Sequence, residues 1–110
     1  MAAFSEITLE QYASFSTTVN VEDAQGEPVN LTTYTGYAQL RKSPYSSVAN
    51  SFVVTVSDAS NGELTLAMSS SNTASLTPGR YLYDLIIVGP SDTTRVVEGI
   101  VTVLPGITRV

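Results

Sequence analysis

The chain has 110 residues, no Cys, no His and no Trp, and a formal net charge of −5. That length supports one domain with a core of its own and no covalent staples. The missing Cys and His remove disulfides, thiolate zinc sites and the commonest general base and metal ligand.

Five Lys and Arg residues stand against ten Asp and Glu residues, and neither sign is clustered. A phosphate backbone demands grouped basic side chains, so nucleic acid is not an expected partner. No run approaches the roughly 20 apolar residues of a membrane span. Met1-Ala2-Ala3-Phe4-Ser5-Glu6 lacks the basic region and apolar core of a signal peptide. The expectation is a single domain over 1–110, made in a cytoplasm, with no membrane partner.

Turn signals recur about every 10 residues, the rhythm of an all-β sandwich. Phe4 to Leu9 reads as a short first strand. Phe15, Thr17, Val19 and Val21 alternate with Ser16, Thr18, Asn20 and Glu22, the pattern of a half-buried strand. Asp23-Ala24-Gln25-Gly26-Glu27-Pro28 supplies turn chemistry. Tyr34 to Arg41 is the next strand, with Gly36, Ala38 and Leu40 on one face. Lys42 to Ser51 is a serine-rich loop broken by Pro44. Phe52, Val54 and Val56 then alternate along a further strand. Asn61-Gly62 is a strong hairpin signal, because both residues tolerate positive φ. Leu64, Leu66 and Met68 follow on one face. Ser69 to Ser75 forms a polar crossing with one helical turn. Pro78-Gly79 reverses the chain into a strand from Tyr81 to Val88. Gly89-Pro90-Ser91-Asp92 turns it again, and Arg95 to Leu104 is the last long strand. The count is seven to eight strands, all taken as antiparallel.

Two strands are apolar on both sides. Tyr81, Tyr83, Leu85 and Ile87 face the core, yet Leu82, Ile86 and Val88 are apolar as well. In the last strand Val97, Val101 and Val103 face one way, and Val96, Ile100 and Leu104 the other. A domain of this size has no third layer to cover the second face. Leu82, Ile86, Val96 and Ile100 are therefore expected to contact another subunit. Tyr81, just after the Pro78-Gly79 turn, is placed to lock a corner, its ring in the core and its hydroxyl on upstream backbone.

Residues for catalysis are sparse. A Ser/His/Asp triad is excluded, and Lys42 beside Ser43 reads as a solvated loop charge. Asp84 and Glu98 are the only carboxylates inside strands, and a glycosidase pair would need a cleft with aromatic platforms. Asp58, Asn61 and Glu63 could offer oxygens to Ca²⁺, but their spacing is not that of an EF-hand and turn chemistry accounts for them. No catalytic residue, cofactor or metal site is expected. Tyr37 and Tyr45 flank the Pro44 loop beside Arg41 and Lys42, and are the exposed aromatic candidates for a partner or a sugar.

The blocks Leu76-Thr77-Pro78-Gly79-Arg80-Tyr81-Leu82-Tyr83-Asp84 and Gly99-Ile100-Val101-Thr102-Val103-Leu104-Pro105-Gly106-Ile107-Thr108-Arg109 carry a family resemblance. With Ile7-Thr8-Leu9-Glu10-Gln11, the turn from Asp23 to Thr32, Tyr34 to Ser43 and Asn61-Gly62-Glu63-Leu64-Thr65-Leu66, they span nearly the whole chain. The sequence resembles the immunoglobulin-like β-sandwich of tailed-bacteriophage virion proteins, as in the N-terminal domain of upper baseplate proteins and short myovirus structural proteins. The resemblance implies a non-catalytic component of a phage tail, baseplate, neck or capsid surface. It implies other virion proteins as partners, in a homo-oligomer or in several copies. Because further domains usually follow such a domain and this chain ends at Val110, a self-contained virion component is the expectation. The other reading is a carbohydrate- or protein-binding adhesion module using Tyr37 and Tyr45.

Overall fold

The computed structural model describes residues 3–23, 25–43 and 50–108. Its elements are β1 (Ala3–Phe4), β2 (Ile7–Glu10), β3 (Phe15–Asn20), β4 (Thr35–Arg41), β5 (Asn50–Asp58), β6 (Glu63–Met68), α1 (Ser70–Ala74), β7 (Gly79–Val88) and β8 (Thr93–Leu104). A 3₁₀ turn, Ala59–Asn61, joins β5 to β6.

The hydrogen-bonded order is β1-β8-β7-β4-β5-β6-β3, with β2 also on β8. The strand β5 belongs to two layers. Its first residues, Asn50 to Phe52, pair with β4, and Val53 to Asp58 pair with β6. The chain is thus an immunoglobulin-like sandwich: β1/β2, β8, β7, β4 and the start of β5 form one sheet, and the rest of β5, β6 and β3 the other. Between them lies one apolar cluster. Leu9 and Val101 meet Leu40 and Leu85 from the first sheet, with Leu64 and Leu66 from the second.

Three local features depart from the sequence expectation. The N-terminal strand is broken into β1 and β2, and both run parallel to β8, so the sheet is mixed. The Asn61-Gly62 hairpin is closed by a 3₁₀ turn in which Gly62 alone takes positive φ, 68°. Its position admits no side chain, since a Cβ there would lie 2.5 Å from Val21 O. Lys42 is more than a solvated loop charge: its Nζ sits 4.4 Å from the centre of the Tyr81 ring, a cation–π contact.

The break in the first strand has a cause. Ser5 N–H donates to Glu98 O at 2.9 Å, which brings the Ser5 backbone over Gly99. A Cβ on Gly99 would stand 1.8 Å from Ser5 O. Opposite Gly99 on β7 is Tyr83, and its hydroxyl donates to Ser5 O at 2.8 Å. The aromatic residue thus spans the gap that the glycine leaves, a pairing that recurs in sheets. Tyr83 also ends an aromatic stack through the sandwich: Phe15 to Phe52 at 6.0 Å and Phe52 to Tyr83 at 6.3 Å between ring centres.

The other end is tied by polar groups. Tyr81 is buried, and its hydroxyl donates to Thr77 O at 2.8 Å. Gln11 Nε2 donates to Leu76 O at 2.7 Å, and Gly106 N–H donates to Gln11 Oε1 at 3.0 Å. Thr73, fully buried in α1, donates to Ala13 O at 2.9 Å. The bonds of Gln11 and Thr73 join segments far apart in sequence, whereas that of Tyr81 is local.

Two stability changes are expected. Gly99→Ala should lower unfolding free energy by at least about 2 kcal/mol, the scale of forced overpacking against backbone. Urea unfolding reads the loss, and faster amide exchange over residues 5–10 should accompany it. Tyr81→Phe should cost about 1 kcal/mol, as for a lost buried hydrogen bond; unchanged urea unfolding would show that the hydroxyl contributes nothing to the corner.

Candidate protein-binding face

The outer side of the β8-β7-β4 layer follows from strand register. Ile100, Leu82 and Arg41 form one cross-strand row, and Glu98, Asp84 and Gln39 the next. Arg95, Ile86 and Tyr37 form the third. Phe4, paired to Glu98, extends the middle row onto β1. Leu82, Tyr37 and Phe4 are 42%, 57% and 64% exposed; Ile86 and Ile100 are half-buried. Leu82, Ile86, Ile100, Phe4 and Arg95 line a shallow concavity of about 570 Å³.

The charged row needs its arginine. Asp84 and Glu98 are direct cross-strand neighbours, and like charges so placed repel. Arg95 lies between them, 3.3 Å from Asp84 Oδ2 and 3.4 Å from Glu98 Oε2. A slip in register sets it there: Leu85 pairs with Val97, but Ile86 pairs with Arg95. Val96 is the extra residue of a β-bulge, and a bulge resets which side chains share a face. Arg95 consequently emerges on the outer face, and Val96 packs against the core.

Of the six residues expected to make contacts, Leu82, Ile86, Ile100 and Tyr37 share this face. Val96 does not, because strict alternation fails at the bulge. Tyr45 lies outside the described residues, so its relation to Tyr37 is not drawn. Sequence reasoning missed Phe4 and Arg95. Phe4 offered a signal, an apolar residue in a short edge strand.

The other polar candidates are engaged within turns. Asp58 accepts from Asn61 Nδ2 at 2.8 Å and from Ser60 Oγ at 3.1 Å. Those bonds hold its carboxyl below the usual range. Glu63 instead accepts from Ser57 Oγ at 2.9 Å. Among the described residues no group of three or more metal-ligating side chains is assembled.

The fold is similar to that of the N-terminal domain of phage TP901-1 ORF48, with a TM-score of 0.57 and 17% identity, over 90% of this chain and 84% of that one. A Lin-41 filamin domain aligns with a TM-score of 0.43 and 18% identity, over 90% of this chain and 84% of that one. No protein-family model and no curated protein matches the chain.

Two of the described phenols are raised above their ordinary value. Burial pushes Tyr83 up from its ordinary value. Tyr34 is raised chiefly by the bond that its hydroxyl donates to Asp92 Oδ1 at 3.1 Å. A phenol raised in the folded state favours folding below its ordinary pKa, and that contribution is lost as pH climbs through the folded value. Melting temperature should therefore fall as pH rises above 10.0, the ordinary tyrosine value. Tyr83→Phe should flatten that part of the profile, as read by ultraviolet titration and thermal melts; an unchanged slope would remove Tyr83 as its source.

Proposed function

We propose that this chain is a non-catalytic structural component of a tailed-bacteriophage particle. It docks a preformed sandwich onto neighbouring virion proteins, in several copies, through the outer face of β4, β7 and β8. The observation that carries this is the exposed apolar face around Leu82, Ile86, Ile100 and Phe4, with a bridged charge row through its centre. Such a face supplies both the apolar area and the orienting charges of a protein contact. The phage origin rests on the sequence resemblance and on the fold shared with a domain of a phage protein. Tyr37, beside Ile86, extends the same face.

The test places the chain in purified particles of the phage that encodes it, by mass spectrometry and by complementation with variants. Phe4→Thr/Leu82→Thr keeps strand propensity while removing exposed apolar area. The variant should melt within a few degrees of the parent, because surface changes cost about 0.5 kcal/mol or less. Its incorporation into particles should drop by about tenfold or more. Absence of the parent chain from particles, with binding to a glycan array that Tyr45→Ala abolishes, would overturn this in favour of an adhesion module.

A further inference from the structure

We infer that the free edge of β3 is a second docking site, which takes an extended basic segment of another protein as an added strand. The inference stands apart from the outer-face reading, since it concerns the opposite edge of the sandwich and recognition by backbone.

The strand β3 ends the sheet order, and among the described residues it pairs only with β6. Val21 N–H donates to Gly62 O at 2.8 Å, in register with the β3–β6 ladder. Alternation then turns the backbone groups of Ser16, Thr18 and Asn20 away from β6. Sheet edges are ordinarily guarded by charge, proline, a bulge or a very short strand. The edge Phe15-Ser16-Thr17-Thr18-Val19-Asn20 has none of these. It is six residues long, uncharged, and paired to β6 without a register break.

Beside this edge the two layers gape. A groove of about 690 Å³ runs between β3 and the chain around β2 and β8, over Leu66, Ile87 and Val97. The inward residues of β3 are only half-buried, whereas those of β6 are buried. A strand added to β3 would place alternate side chains over the mouth of that groove. It would also satisfy the outward amides and carbonyls, which is how strand addition gains affinity.

Charge selects the occupant. Glu6, Glu22, Asp23 and Asp92 line the groove, and the one cation among its lining residues, Arg95, is held by Asp84 and Glu98. Lys or Arg on the incoming segment meets this rim favourably. A second copy of a chain with net charge −5 is repelled.

The probe is a synthetic peptide, KVTVKVTK, titrated into the whole chain at low salt and followed by amide exchange and two-dimensional NMR. Saturation should slow exchange at Ser16, Thr18 and Asn20 by about tenfold, the scale of a gained hydrogen bond. N-methylation of the peptide's alternate amides should weaken binding by about tenfold or more. A peptide with Glu in place of Lys should bind at least about tenfold more weakly, and Glu22→Gln should narrow that difference. Any of three results would overturn the inference. These are equal binding by the N-methylated or acidic peptide, protection confined to other strands, and a peptide-free dimer that itself protects β3.

Discussion

The absence of a side chain at Gly99 decides which sheet the N-terminal segment joins. Only there can the Ser5 backbone close onto β8, because a Cβ would stand 1.8 Å from its carbonyl oxygen. The approach also sets that oxygen where Tyr83 can donate to it. Tyr83 in turn holds Phe52 edge-on, and Phe52 contacts Phe15 in the other layer. A chain without cysteine has no disulfide between its sheets. Here three aromatic rings cross that space instead, and the interaction is one of area and quadrupole geometry. Because β1 and β2 are committed to β8, neither pairs with β3. The free edge of the second sheet and the place of β1 and β2 beside β8 follow from one close approach.

Much of the architecture was legible because strands have a period of two and turns have their own chemistry. Leu64, Leu66 and Met68, all buried, follow directly from alternation, as do Tyr81, Tyr83, Leu85 and Ile87. The turn at Gly89 and the helical turn capped by Ser69 were equally readable, since Gly, Pro and Ser act locally. What escaped is non-local. The parallel pairing of β1 and β2 depends on contacts 94 positions away in sequence, as in Ala3 with Val97. Gln11 carries no local mark of its role; its amide joins Leu76 to Gly106 only when those segments converge. Thr73 likewise gains its partner, Ala13 O, from the fold alone.

Val96 is the instructive error. Alternation counted back from Val103 puts it outside, with Ile100 and Leu104. A bulge adds one residue without a compositional mark, so every position before it changes face. Thr94 comes opposite Ile87 and Arg95 opposite Ile86. The apolar outer face expected from the sequence survives at Leu82, Ile86 and Ile100, but its centre is charged. Pattern reading could find the hydrophobic residues of this face; it could not find the cation that keeps Asp84 and Glu98 side by side.

That same bulge shapes both proposed docking surfaces. Turned outward, Arg95 bridges the carboxylate pair and offsets one of its two charges, which leaves the outer face better suited to close contact with a neighbour. Turned inward, Val96 adds apolar surface to the wall of the groove below β3. The two surfaces differ in what they read. The outer face presents side chains, so its partner must match shape and charge residue by residue. The β3 edge presents backbone, so its partner needs only an extended conformation, alternate apolar side chains and a complementary charge. A domain with one surface of each kind, on different sides, can hold a folded neighbour with one and a flexible arm with the other. For a small sandwich with few charges and no His or Cys, assembly of that sort uses what its residues supply.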